Sequence, residues 1–66
     1  MINLLLFLGG TFQHHSGREY ELLLITNQQS DDQQKFPTTA VYKSKKDSLV
    51  WSRPIQEFIQ NFTLIA

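Results

Sequence analysis

A chain of 66 residues without a single cysteine must hold its fold with no covalent staple. A domain this short buries only about 60% of the surface its unfolded chain exposes, so its stability margin is thin. Domains of this size commonly add disulfides, a structural metal or a second subunit. Disulfides and thiolate metal sites are excluded by composition. The two histidines, His14 and His15, are adjacent. In a strand, neighbouring side chains point to opposite faces, so this pair makes a poor chelate, and neither a metal nor another cofactor is expected. What remains is self-association or a dense aromatic core, for which five Phe, two Tyr and one Trp supply the material. The length leaves room for one domain, residues 1–66.

Charge narrows the partners. Six basic and six acidic side chains cancel to a formal net charge of zero. Dedicated nucleic-acid binders carry a basic excess, so nucleic acid is not the expected partner. Neutrality also lowers the barrier to self-association. The apolar run Ile2-Asn3-Leu4-Leu5-Leu6-Phe7-Leu8 is far short of the roughly 20 residues that cross a bilayer. It lacks the basic start and small-residue cleavage site of a signal peptide. It reads as a strand buried on both faces or covered by a second subunit. The expectation is a cytoplasmic protein with no membrane contact that forms a homo-oligomer, a dimer being the commonest symmetric state.

Beyond Gly9-Gly10 the pattern is that of short strands and turns. Thr11-Phe12-Gln13-His14 reads as a strand, and Ser16-Gly17-Arg18 as a tight turn in which Gly17 takes positive φ. Residues 19–26 form the best strand, with Tyr20, Leu22 and Leu24 on one face and Glu21, Leu23 and Ile25 on the other. Residues 27–35 are polar and of low complexity, and read as a mobile hairpin loop closed by Phe36-Pro37. Residues 38–43 are a strand by β-branched and aromatic content. Residues 44–47 are a polar turn. Residues 49–53 are another strand, with Leu49, Trp51 and Arg53 on one face. The period then changes. Pro54 suits a first helical position, and Ile55, Phe58, Ile59 and Phe62 fall on one helical face. Thr63-Leu64-Ile65 is a closing strand or a packed tail. The fold class expected is mainly β: a small, strongly curved sheet or partly open SH3-like barrel of about five short strands with one short C-terminal helix.

Gly10, Phe12, His14, Gly17 and Tyr20, then Val41-Tyr42, then Trp51-Ser52-Arg53-Pro54-Ile55 and Phe58, resemble the pattern of the domain of unknown function 1653 family. The tryptophan-x-arginine-proline element at residues 51–54 is the most specific part, and the resemblance runs from about Gly10 to Phe58. Residues 27–35 and 43–46 depart from the pattern, and no role is carried over from them. The resemblance implies a small stand-alone bacterial or phage protein and a fold. It supplies no activity.

Five residues are candidates for a ligand site. Arg53 stands at a strand end beside a helix start, where a guanidinium can grip a carboxylate or phosphate in two-pronged fashion, aided by the helix N-terminus. Its bland alternatives are an ion pair with Glu57 or stacking on Trp51. Trp51 is either a core plug or a stacking platform for a planar ligand. His14 either pins a turn or donates to an anionic or heteroaromatic ligand in a pH-sensitive way. Tyr20 and Tyr42 either line the same surface or pack in the core.

Catalysis finds little to build on. None of Ser16, Ser30, Ser44, Ser48 and Ser52 sits in a nucleophile elbow. The Asp31-Asp32 pair lies on the polar loop, and no glycine-rich phosphate loop is present. The leading expectation is a non-catalytic protein that binds or sequesters a small planar anionic, nucleotide-like ligand. The alternative is a protein–protein module acting through residues 2–8 or an exposed strand edge. A weaker one is RNA binding through the turn that carries Lys43, Lys45 and Lys46.

Overall fold

A computed structural model describes residues 7–66. Five strands and one helix follow in order: β1 (Thr11–His14), β2 (Glu19–Thr26), β3 (Thr39–Ser44), β4 (Val50–Pro54), α1 (Ile55–Asn61) and β5 (Phe62–Leu64). The strands form one antiparallel sheet in the order β4-β3-β2-β1-β5. The mainly β fold with one short C-terminal helix is therefore as expected. The strand expected over residues 2–8 lies outside the described residues as far as Leu6. Phe7 and Leu8 belong to a turn, with the Gly10 amide donating to the Phe7 carbonyl at 2.9 Å.

The sheet is strongly curled. Its two edge strands, β4 and β5, stand four strand spacings apart in order, about 19 Å in a flat sheet. Yet the Arg53 guanidinium carbon on β4 lies 5.3 Å from the centre of the Phe62 ring on β5. Tyr42 on β3 and Phe62 also meet, at 5.0 Å between ring centres. Curling brings the inner faces of β1, β2, β3 and β5 around a core of Phe12, Leu22, Ile25, Ala40, Tyr42, Phe58 and Phe62. The helix runs from one edge strand to the other and caps this core with Phe58, which is fully buried. The aromatic side chains pack edge to face, as at Phe12–Phe58 and Tyr20–Tyr42, and stacked, as at Phe58–Phe62, 4.3 Å apart. Such pairs each add about 0.5–1.5 kcal/mol beyond the burial of their area. The cysteine-free chain thus draws on aromatic packing.

Three local expectations are corrected. In β2 the pairing with β3 shifts between Leu22 and Leu24. This bulge resets the alternation, so that Ile25 turns inward at 8% exposure and Leu24 outward at 44%. Pro54 ends β4 and precedes the helix as its N-cap, with extended ψ of 143°, instead of occupying the first helical position. The helix stops at Asn61. Phe62 is extended, because it pairs with His14 as the first residue of β5. The polar segment 27–35 is the loop between β2 and β3, as expected, and its side chains make hydrogen bonds within it and to its flank. The Gln33 amide oxygen accepts from the Thr38 amide at 2.8 Å, Asn27 Nδ2 donates to the Pro37 carbonyl, and Asp32 Oδ1 accepts from the Lys35 amide.

Two glycines have assigned work. Gly17 takes φ of 98° in the β1–β2 turn. At Gly10 a β-carbon would stand 2.9 Å from the Phe7 carbonyl oxygen and 3.2 Å from Leu64 Cδ1, so only glycine lets the start of β1 approach the chain end so closely.

Candidate functional site

The hairpin between β1 and β2 places one wall of a cleft. His14 ends β1. Its amide donates to the Arg18 carbonyl, which sets Arg18 across from it on the same inward face as Tyr20. Ser16, in the turn between them, donates its backbone amide to His14 Nδ1 at 3.1 Å, and the Ser16 hydroxyl lies 2.9 Å from the same nitrogen. A backbone N–H can only donate, so Nδ1 accepts and the neutral ring carries its proton on Nε2.

The opposite wall comes from β3 and β4. Tyr42 pairs with Trp51 and Ala40 with Arg53, so Trp51 and Arg53 share the inner face with Tyr42. As β4 is an edge strand, these inward positions open at the barrel mouth. The floor is Phe62. The resulting cleft of about 370 Å³ is lined by His14, Ser16, Arg18, Tyr20, Tyr42, Trp51, Arg53 and Phe62. All five residues singled out from the sequence meet there, and no carboxylate lines it.

Arg53 is held in place without being neutralised. Its Nε donates to the Tyr42 hydroxyl at 2.8 Å, and its guanidinium lies over the Phe62 ring. Among the described residues neither Glu57 nor any other carboxylate pairs with it, and its stacking partner is Phe62 in place of Trp51. With Nε engaged, the terminal Nη1 and Nη2 edge is what remains for an anion. That edge still offers a two-pronged grip.

His14 titrates below its usual range, chiefly because burial penalises the imidazolium and next because His15, Arg53 and Arg18 add positive charge around it. The imidazole is therefore neutral at pH 7 and presents Nε2–H as a donor. The rings of His14 and His15 lie 4.0 Å apart. The alternation expected of a strand does not separate them, because His15 already belongs to the turn. Among the described residues no group of three metal-ligating side chains forms.

Trp51 is 51% exposed and is not a core plug. Tyr42 is buried, and its hydroxyl serves Arg53. Tyr20 is half-buried against Tyr42 and Phe62. The helix start plays no part in the cleft. Pro54, Ile55 and Gln56 line a separate depression with Gln33, Pro37 and Thr38, and the Ile55 amide donates to the Thr38 carbonyl. The expected dipolar assistance to Arg53 is thus withdrawn.

Sequence reasoning missed three members. The sequence pattern marks Arg18 and Ser16 only as turn residues, and Phe62 only as helical. The signal for Arg18 was available, since it stands two residues before Tyr20 and so shares its face.

The profile of a family described as "Protein of unknown function (DUF1653)" matches residues 10–64, a span that holds every residue of the cleft. No curated protein and no solved structure matches the chain. Among the described residues no helix is long and apolar enough to cross a membrane.

Proposed function

We propose, for a chain that belongs to the DUF1653 family of proteins of unknown function, that it is a non-catalytic binder of a small planar anion of nucleotide-like form. The single observation that carries this reading is the composition of the cleft. Two guanidiniums and an imidazole converge with Trp51, Tyr20 and Phe62, and no carboxylate opposes them. A cationic ligand would be repelled, and an apolar one would leave Arg53 without a partner. A planar anion uses both halves: its ring stacks on the exposed indole, and its acidic group meets the Nη1–Nη2 edge of Arg53. The cleft offers anchors for binding. The Ser16 hydroxyl does lie 2.9 Å from His14 Nδ1, but no carboxylate lines the cleft to orient that imidazole as a base.

Trp51 is the sole tryptophan, so its fluorescence reports on the cleft directly. Titration with a nucleoside monophosphate is expected to quench it. Arg53→Ala is expected to weaken binding about 10- to 100-fold, the size of a lost charge-assisted hydrogen-bond pair. Arg53→Lys is expected to lose a good part of that affinity, because an ammonium lacks the fork. Equal affinity of folded Arg53→Ala and wild type overturns the reading, as does the absence of binding to any planar anion tried.

A further inference from the structure

The outer edge of β4 leaves main-chain groups unpaired among the described residues. The Ser44 amide donates to the Leu49 carbonyl and the Ile55 amide to the Thr38 carbonyl. With the register Lys43↔Val50 to Thr39↔Pro54, this means that residues 49, 51, 53 and 55 turn their main-chain groups toward β3. In an antiparallel ladder the residues between them turn theirs away. Val50 and Ser52 therefore present N–H and C=O groups outward, and among the described residues no strand or loop meets them. Pro54, with no N–H, ends the strip.

Natural sheets guard such an edge with lysine, an inward charge or a bulge. β4 carries one such guard, the inward Arg53, and Pro54 closes its far end, but residues 49–52 ahead of them read Leu-Val-Trp-Ser, with no charge and no register shift against β3. Leu49, Val50 and Trp51 are all more than half exposed, at 54%, 59% and 51%. The chain carries no net charge to keep copies apart.

We propose that the occupant of this edge is a second copy of the same chain, paired antiparallel through β4 about a two-fold axis at Trp51. In this register Val50 faces Ser52 of the partner subunit, and Ser52 faces the partner's Val50. All the outward N–H and C=O groups of both residues are then satisfied, as four hydrogen bonds across the axis. Trp51 stands opposite the partner's Trp51 at a non-hydrogen-bonded position, where side chains approach most closely. Leu49 covers the stem of the partner's Arg53. A register centred on Ser52 uses the outward groups of Val50 less well, since its opposite number would be the N–H-less proline. The two sheets join into one, and the two clefts come side by side across the paired indoles. The interface is small, so the dimer is weak and reversible. The pairing stands on the strand edge and needs no ligand in the cleft.

The chain has one tryptophan, so a tryptophan–tryptophan exciton couplet in its circular dichroism can arise only between copies. Wild type is expected to gain such a couplet, together with a dimer mass in sedimentation, as concentration rises from about 1 µM to about 1 mM. Ser52→Pro removes an outward N–H that the monomer does not use. It is expected to keep the thermal unfolding of wild type while remaining monomeric and losing the couplet. Trp51→Cys supplies a second readout that does not depend on that variant folding. It creates the only thiol of the chain, opposite its own copy, and is expected to form a disulfide dimer roughly ten-fold faster than a Ser30→Cys control, given the short separation the bond demands. A wild type that stays monomeric to about 1 mM overturns the proposal. So does a dimer without the couplet, or cross-linking of Trp51→Cys no faster than the control. A dimer that survives in folded Ser52→Pro also overturns it and moves the interface to another surface.

Discussion

Arg53 is the residue on which the cleft turns, and His14 is the one that lets it be read by pH. Protonation of His14 is opposed by burial and by the positive charge of His15, Arg53 and Arg18. The folded pKa therefore lies below the unfolded value of about 6.5. As pH falls below about 6.5, the unfolded chain takes up the proton first, and stability declines until the folded group also titrates; above that value the contribution is flat. The difference in unfolding free energy between wild type and His14→Gln should thus change between pH 7 and 5 and stay constant above pH 7. An unchanging difference would remove the titration argument. A bound anion favours the imidazolium, so binding should take up a proton, and affinity for a cyclic nucleoside monophosphate, whose phosphodiester keeps one charge throughout, should rise as pH is lowered from about 7.5 to about 5.5. His14→Gln should flatten that profile while keeping a donor in the cleft. These roles were half legible. The residue types of His14, Trp51 and Arg53 singled them out as candidates for one site, and they do line one cleft. The guanidinium partner did not show, because Tyr42 and Phe62 reach Arg53 only after the sheet has curled.

Among the elements, β2 shows what a periodic pattern can and cannot reveal. Its extent, residues 19–26, follows from β-branched, aromatic and leucine content and was readable as written. Its facing was not, because a bulge adds one unpaired residue on one strand and reverses the alternation beyond it. Leu24 and Ile25 are both large and apolar, so side-chain chemistry gives no sign of which is inside. The structure separates them sharply, and so should mutation. Ile25→Ala should destabilise by about 2–4 kcal/mol. Leu24→Ala should cost no more than about 1 kcal/mol. Denaturant midpoints for the two variants check this, and equal costs would mean that the bulge is absent in solution. The helix makes the complementary point. Its apolar spacing correctly identified Phe58 as a buried face residue, and Phe58→Ala should cost about 3–5 kcal/mol. The same spacing carried the helix one residue too far, to Phe62. Local periodicity cannot register that β1 offers a strand partner there.

For the molecule as a whole, the decisive event is the closure that brings the first and last described segments together. β5 pairs with β1 from Phe12↔Leu64 to His14↔Phe62. The pairing runs on through the Thr11 amide to the Ala66 carbonyl and the Ile65 amide to the Thr11 carbonyl. This contact spans nearly the full chain, so it carries the largest loop-closure entropy of any in the fold, and no short-range pattern foreshadows it. The cleft depends on it, because Phe62 is the floor on which Arg53 rests. The contact is also tight. At Gly10 there is no room for a β-carbon between the Phe7 carbonyl, Leu64 and the Ala66 carbonyl. Gly10→Ala should therefore loosen the closure at one point while leaving every core side chain intact. The expected loss is about 1–3 kcal/mol, as for overpacking elsewhere. Its signature should be local as well as global: faster hydrogen exchange at the Thr11, Ile65 and Ala66 amides than in the β2–β3 pair. Because closure positions Phe62, anion affinity should fall in the same variant although no cleft residue has changed. If Gly10→Ala weakens neither the chain-end amides nor the binding of a planar anion, the cleft does not depend on closure, and the meeting of the edge strands does not position Arg53.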